Sequence, residues 1–188
     1  NLARLAESLV PLLASDEHTA IARANEALDA FPPLFREAWL GGMRRKLGLA
    51  SAADGDLALI QDLLDAMQRE GADFTRTFRA LTSADALRPN AMPADWLTPW
   101  IERWHARLAS DANSPDAALR AMQSANPRLI PRNHLVEQAL AAAESGDLAP
   151  FHTLLDALRT PFTLAPARAH LDEPPPPEFR CYKTFCGT

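Results

Sequence analysis

The feature that most limits what this chain can fold into is a helical period that restarts again and again. Leu57, Ile60, Leu63, Leu64 and Met67 fall 3, 3, 1 and 3 positions apart, the spacing of one helix face. Leu97, Ile101, Trp104 and Leu108 repeat it, as do Leu135, Val136, Ala139, Leu140 and Ala143, and again Leu148, Phe151, Leu154, Leu155 and Leu158. Residue usage agrees, with 36 Ala and 28 Leu against 2 Val and 4 Ile. Ala and Leu lose little entropy in a helix, whereas β-branched residues favour strands. The chain is therefore expected to be all-α, with no sheet of more than two short strands. Its 188 residues suffice to bury a core without disulfides or metals.

Local punctuation divides this pattern. A first helix presents Leu2, Leu5, Leu9 and Leu13 on one side, and Pro11 is expected to kink or split it. Ser15 is placed to cap a second helix, with Asp16 and Glu17 in the first turn, where the helix dipole favours acids. Phe31-Pro32-Pro33 is expected to end that helix, and Pro33 to open another that runs through Trp39 to about Leu47 and stops at Gly48. Asp56 opens and Gly71 closes the next helix, and a shorter one covers Phe74, Phe78 and Leu81. Pro89 and Pro93 mark a loop. Ser114-Pro115-Asp116 reads as a helix start, a cap followed by Pro, and Asn126-Pro127 as its end. Pro131 is expected to open a helix stopped by Gly146, and Asp147 to begin the last one.

Two boundaries follow. The chain opens on Asn1-Leu2-Ala3-Arg4-Leu5, already helical in texture, so it is expected to be a piece of something longer. From Thr160 the texture changes, and six of the 16 prolines lie in residues 161–188, four in succession at 174–177. Residues 1–160 thus read as a helical domain. Residues 161–188 read as a tail, either laid out as extended polyproline II or disordered, with Phe179, Tyr182 and Phe185 available to pin it.

Candidate chemistry is sparse. A net charge of −5 argues against nonspecific nucleic-acid binding, and no apolar run approaches the roughly 18 residues a membrane span needs. The five histidines, His18, His105, His134, His152 and His170, show no i, i+4 metal pair and no HExxH. Arg132-Asn133-His134 with Glu137 puts a His and a Glu on one helix face, and is read as a polar helix start making capping bonds. Arg44-Arg45-Lys46 is read as a solvated basic helix end, with contact to an acidic partner or phosphate as the functional alternative. Trp96, Trp100 and Trp104 recur every four residues and are read as core rather than as a binding face. No Gly-rich phosphate loop appears. Cys181 and Cys186 are the two cysteines, and Cys186, third from the end, is an accessible thiol on a terminus with little constraint.

Three stretches together resemble the selenoprotein O family of protein adenylyltransferases. One is Asp62-Leu63-Leu64 through Gly71-Ala72-Asp73-Phe74-Thr75 to Phe78-Arg79. The second is Met122 through Asn126-Pro127-Arg128, then Pro131-Arg132-Asn133-His134 and Glu137. The third is the proline-rich ending that closes on Thr184-Phe185-Cys186-Gly187-Thr188. Asn1-Leu2-Ala3-Arg4-Leu5 is similar to the segment that follows the family's active site. The resemblance implies a protein-kinase-like fold that binds ATP with Mg2+ or Mn2+ and transfers AMP to hydroxyl side chains of proteins. It implies that this chain holds later C-lobe helices and the C-terminal extension, and that the catalytic, nucleotide-binding and metal-binding residues all lie in a missing N-terminal kinase-like domain. One residue carries over: Cys186 matches the family's terminal Cys or selenocysteine, which can bridge to a Cys near the active site and link activity to redox state.

The expectation is thus an all-α, catalytically silent C-terminal part of a protein adenylyltransferase. Its partners would be the missing kinase-like domain and protein substrates, with no nucleic acid and no membrane, in a bacterial cytoplasm. No cofactor is expected within these 188 residues. The rival reading is a stand-alone helical module that binds proteins through the Trp face or the proline tail.

Overall fold

The computed structural model describes residues 1–83, 86, 95–163 and 165–179. Cys181, Cys186, Pro89 and Pro93 lie outside the described residues. Among the described residues there are helices and 3-10 turns and no strand, as the period and the residue usage require. None of these helices is long and apolar enough to cross a membrane.

The chain divides into two compact units, Asn1–Met43 and Arg44–Thr188, whereas the sequence reading draws its boundary at residue 160. The first unit holds α1 (Leu2–Leu13) and most of α2 (Glu17–Lys46). Pro11 does not split α1, because it sits in the last turn and only one ladder bond is lost there. The Arg23 guanidinium donates to the Leu13 carbonyl at 2.7 Å and so satisfies an orphan acceptor at the end of α1. Asp16 rather than Ser15 caps α2, its carboxylate accepting from the Thr19 N–H at 2.8 Å. A carboxylate at that position gains from the helix dipole as well as from the bond. The expected break at Pro32 and Pro33 is absent, and α2 runs through both. Adjacent prolines remove two neighbouring ladder bonds at one place. The Phe31 and Phe35 rings, one turn apart, meet across that gap with centroids 5.7 Å apart.

The second unit is built on α3 (Asp56–Glu70), α4 (Phe74–Ala80), α5 (Thr98–Ala109), α6 (Pro115–Ala125), α7 (Asn133–Glu144) and α8 (Ala149–Leu158). A 3-10 turn at Asp95–Leu97 leads into α5. Gly71, at φ +61, ends α3 in the left-handed conformation, with the Ala72 N–H returning to the Met67 carbonyl at 2.9 Å. Ser114 caps α6 by accepting from the Ala117 N–H. The buried face of α3 is Leu59, Ile60, Leu63, Ala66 and Met67, with Leu57 and Leu64 at its margin. The face is rotated from the expected stripe because α5 and the turn before it set which side is covered.

Trp100 and Trp104 stack at 5.7 Å in this core and are fully hydrogen-bonded. Their indole N–H groups donate to the carbonyls of Leu59 (2.7 Å) and Leu47 (2.9 Å). Trp96 is half-buried. The core reading of the tryptophans therefore holds for Trp100 and Trp104. Gly48, at φ +77, lies where an added Cβ would come 3.1 Å from the Ala118 Cβ, so the turn after α2 is pressed onto α6.

Helix α7 begins at Asn133, two residues later than expected, because Arg132 stays extended at φ −70, ψ 132. Helix α8 begins at Ala149, and Asp147 accepts from the Ala149 N–H at 2.9 Å. It buries Leu154 and Ala157 and leaves Leu148, Phe151 and Leu155 exposed, contrary to expectation. One side of α8 packs on α7 and Leu171, and the other faces outward. The described part of the proline-rich segment, residues 161–163 and 165–179, is neither detached nor wholly extended. Pro161 accepts from the N–H groups of Arg128 (2.8 Å) and Leu129 (3.0 Å), and Pro166–Asp172 coils as a 3-10 turn that buries Leu171 against Leu129 and Leu154. Pro177–Phe179 forms another.

Candidate functional site: the cleft at the start of helix α7

Among the described residues of the second unit, most buried ionisable groups lie in the following assemblies. In the first, the Asp56 carboxylate accepts from Arg44 Nε at 2.6 Å and from Arg107 Nε at 2.8 Å, and Arg107 also reaches Asp111 at 3.0 Å. Asp111 accepts from the Ala50 and Ser51 N–H groups and from the Ser51 hydroxyl. Burial pushes the Asp56 carboxyl up, but the bonds from Arg107, Ala53 and Arg44 outweigh it and hold the group below the usual carboxylate range. Burial likewise opposes, and Ser51, Ala50 and Arg107 outweigh, in Asp111, which is held well below that range. Both acids are fully committed to the fold.

The second assembly corrects the reading of Arg44-Arg45-Lys46 as a solvated face for Arg44 and Lys46, whereas Arg45 is exposed as expected. Arg44 binds Asp56, and Lys46 is half-buried, with its ammonium donating to the Ala125 carbonyl (3.0 Å) and Asn126 Oδ1 (3.2 Å). It also lies 5.6 Å from the ring centroids of Phe74 and Phe78. Lys46 thus closes the end of α6, and desolvation pushes its ammonium down from the ordinary lysine value.

The third assembly lies at the start of α7. The N-cap of α4, Asp73, accepts from the Arg76 N–H and also receives both Nη atoms of Arg132, at 2.7 and 3.2 Å. Arg132 Nη2 donates to the Asp172 carbonyl at 3.3 Å, and the Asp172 carboxylate stands 4.0 Å from both Arg132 and Arg128. Arg132 and His134 are 7% and 6% exposed. With Asn133 they line a cleft of about 260 Å³, closed on its other side by Pro175 and Phe179. The Phe179 ring lies 6.0 Å from the imidazole. Burial pushes the Asp73 carboxyl up, and the Arg132 guanidinium with the Arg76 N–H brings it below the ordinary value. Burial pushes the His134 imidazole down, and the Arg132 charge adds to the effect. The imidazole is therefore neutral at neutral pH.

The expected capping bonds at Arg132-Asn133-His134 are absent, because no side chain caps α7. Arg132 Nε and His134 Nδ1 are buried without a hydrogen-bond partner, a state that costs about 1–3 kcal/mol per group. Sequence reasoning marked His134 and missed the pairing of Arg132 with Asp73, 59 positions away. Asp73 after Gly71 offered a local cap signal, but the extended Arg132 was not signalled, and nothing local joins the two. Cys186 lies outside the described residues and so is placed by none of this geometry.

Taken together, the described residues are an all-helical scaffold with buried ion pairs and a polar cleft at the start of α7. Among the described residues no three His, Cys, Asp or Glu side chains form a metal-binding group. By its whole pattern of residues, this chain belongs to the protein adenylyltransferase SelO family, whose family model matches residues 1–159. The curated relatives carry the name protein nucleotidyltransferase YdiU. That of Geobacillus kaustophilus (strain HTA426) is 47% identical over 189 residues, spanning all of this chain and 39% of the relative. That of Cereibacter sphaeroides (strain KD131 / KCTC 12085) is 49% identical over 193 residues, with the same coverage. That of Rhizobium etli (strain CIAT 652) is 44% identical over 196 residues, again covering 39% of the relative. The chain thus spans about two fifths of the length of these relatives.

Proposed function

We propose that this chain is the non-catalytic C-terminal part of a longer enzyme that transfers AMP from ATP to hydroxyl side chains of other proteins. The observation that carries the reading is the match of the whole chain, at 44–49% identity, to 39% of relatives named as protein nucleotidyltransferases. The remaining part of the longer protein would be a kinase-like domain that holds ATP and Mg2+ or Mn2+. The buried carboxylates of this chain are occupied in another way. The carboxylates of Asp56, Asp73 and Asp111 are taken up by arginines, and desolvated acids already paired in this way have no open oxygen to offer a cation. The role left to this chain is to support and regulate the domain that performs the chemistry.

Regulation would run through Cys186. By the family resemblance, one disulfide from it to a cysteine of the kinase-like domain would couple redox state to activity. The working environment would be a bacterial cytoplasm, in keeping with the bacterial relatives. The test is to incubate labelled ATP, Mg2+ and an acceptor protein with this chain and, separately, with the longer protein. Label is expected on the acceptor only with the longer protein, and Cys186→Ser is expected to abolish the response of that activity to reductant. Label transfer by the chain alone, or a redox response indifferent to Cys186→Ser, refutes the reading.

A further inference from the structure

Helix α1 has an apolar side and a polar side, yet none of its residues is buried. Leu2, Leu5, Leu9 and Leu12 follow at spacings of 3, 4 and 3, which is one helix face. All four are exposed, Leu12 at 80%. Arg4 and Glu7 lie on the other side, paired with each other at 2.7 Å. Helix α2 repeats the pattern one turn after another. Phe31, Leu34 and Phe35 are exposed, Leu34 at 63%, and the two rings form a ledge with centroids 5.7 Å apart.

An apolar stripe on a helix normally faces a core. The first unit, Asn1–Met43, supplies none, since its buried residues are Ala20, Ala24 and Met43. Propensity does not make up the difference. A helix of twelve residues is marginal in water on its own, and α1 also loses a ladder bond at Pro11. Single exposed leucines are ordinary. Runs of large apolar side chains along one face of two successive helices mark an interface.

Two observations name what covers it. The family model takes in both helices, so they belong to the shared fold and are not an appendage. The relatives also extend far beyond this chain, which matches 39% of their length, so most of the polypeptide lies outside these residues. We propose that the leucine face of α1 and the Phe31, Leu34 and Phe35 ledge of α2 dock on the kinase-like domain that precedes this chain in the longer protein. The proposal rests on the reading of the chain as the C-terminal part of that protein. No charged residue falls among Leu2, Leu5, Leu9 and Leu12 on their face. The matching surface is therefore apolar, and the Arg4 and Glu7 side stays in water.

The experiment places a diazirine-bearing leucine analogue at the position of Leu12 in the longer protein and maps the photoproducts by mass spectrometry. Cross-links are expected to residues outside these 188. A second measurement uses Leu5→Lys with Leu9→Lys, which keeps helix propensity. In the chain alone the melting point should stay as it is, because both side chains are already exposed. In the longer protein it should fall by about 5 °C or more, because two buried leucines become charged. Cross-links that stay within these residues or join two copies overturn the proposal, as does a melting point that falls equally in both proteins or in neither. AMP transfer to an acceptor is read on the same longer protein. Cross-links to the preceding domain without AMP transfer leave the interface standing and refute the proposed activity. AMP transfer with Leu12 cross-linked elsewhere does the reverse.

Discussion

Lys46 and Asn126 hold each other at both ends, across 80 positions of sequence. The Asn126 amide nitrogen donates to the Lys46 carbonyl at 2.8 Å, and the Lys46 ammonium donates to Asn126 Oδ1 at 3.2 Å. One residue ends α2 and the other follows α6, so the pair joins two helix ends whose last carbonyls would otherwise lack donors.

Asn126→Ala is expected to destabilise the chain by about 1–3 kcal/mol, since Asn126 is buried and its removal leaves the Lys46 carbonyl without its donor. Urea unfolding measures this. A change under a few tenths of a kcal/mol would mean that water replaces the side chain at no cost.

Gly48→Ala should cost about 1–2 kcal/mol from its positive φ alone. Overpacking adds to this, because the new Cβ meets Ala118 and Met122 at 3.1–3.2 Å. Gly55→Ala, also at positive φ but with nothing within 4 Å, serves as the comparison and should cost less. Equal melting points for the two variants would show that close approach to α6 contributes nothing.

Asp73→Ala removes the cap of α4 and leaves the Arg132 guanidinium buried with only the more distant Asp172 carboxylate. A loss of about 3–5 kcal/mol is expected in equilibrium unfolding. Arg132→Met with Asp73→Asn should recover part of it, because an uncharged pair carries no desolvation penalty. A double variant no better than the single one would contradict this account.

The His134 imidazole titrates below its ordinary value because it is desolvated and stands near Arg132. Above about pH 6.5 it is neutral both folded and unfolded, and it contributes no pH dependence. As pH falls below that value the unfolded chain binds a proton that the folded chain refuses, so stability declines until the folded imidazole also protonates. Asp56, Asp73 and Asp111, all held below 3.8, lose their stabilisation only at more acid pH. Unfolding free energies between pH 7 and 5 should therefore fall in the native chain and flatten in His134→Gln. A slope that survives the substitution would assign it to another group.

The all-α class and most helix ends were legible in the sequence because they are set within a few residues. Gly71 and Gly146 adopt positive φ where the sequence placed stops, and Ser114 caps where Ser-Pro-Asp announced a start. Local rules failed where two of them competed at one place. Pro32 and Pro33 signalled an end, yet the turns on either side carry α2 across. Tertiary structure alone decided the side of α3 that is buried, the placing of half-buried Lys46 beside the Phe74 and Phe78 rings, and the meeting of Arg132 with Asp73. The physical reason is range. A cap or a left-handed glycine is an interaction of the chain with its own next turn, so composition at a few positions fixes it. A buried ion pair or a cleft exists only when segments tens of residues apart are packed together, and no local period or spacing records that meeting.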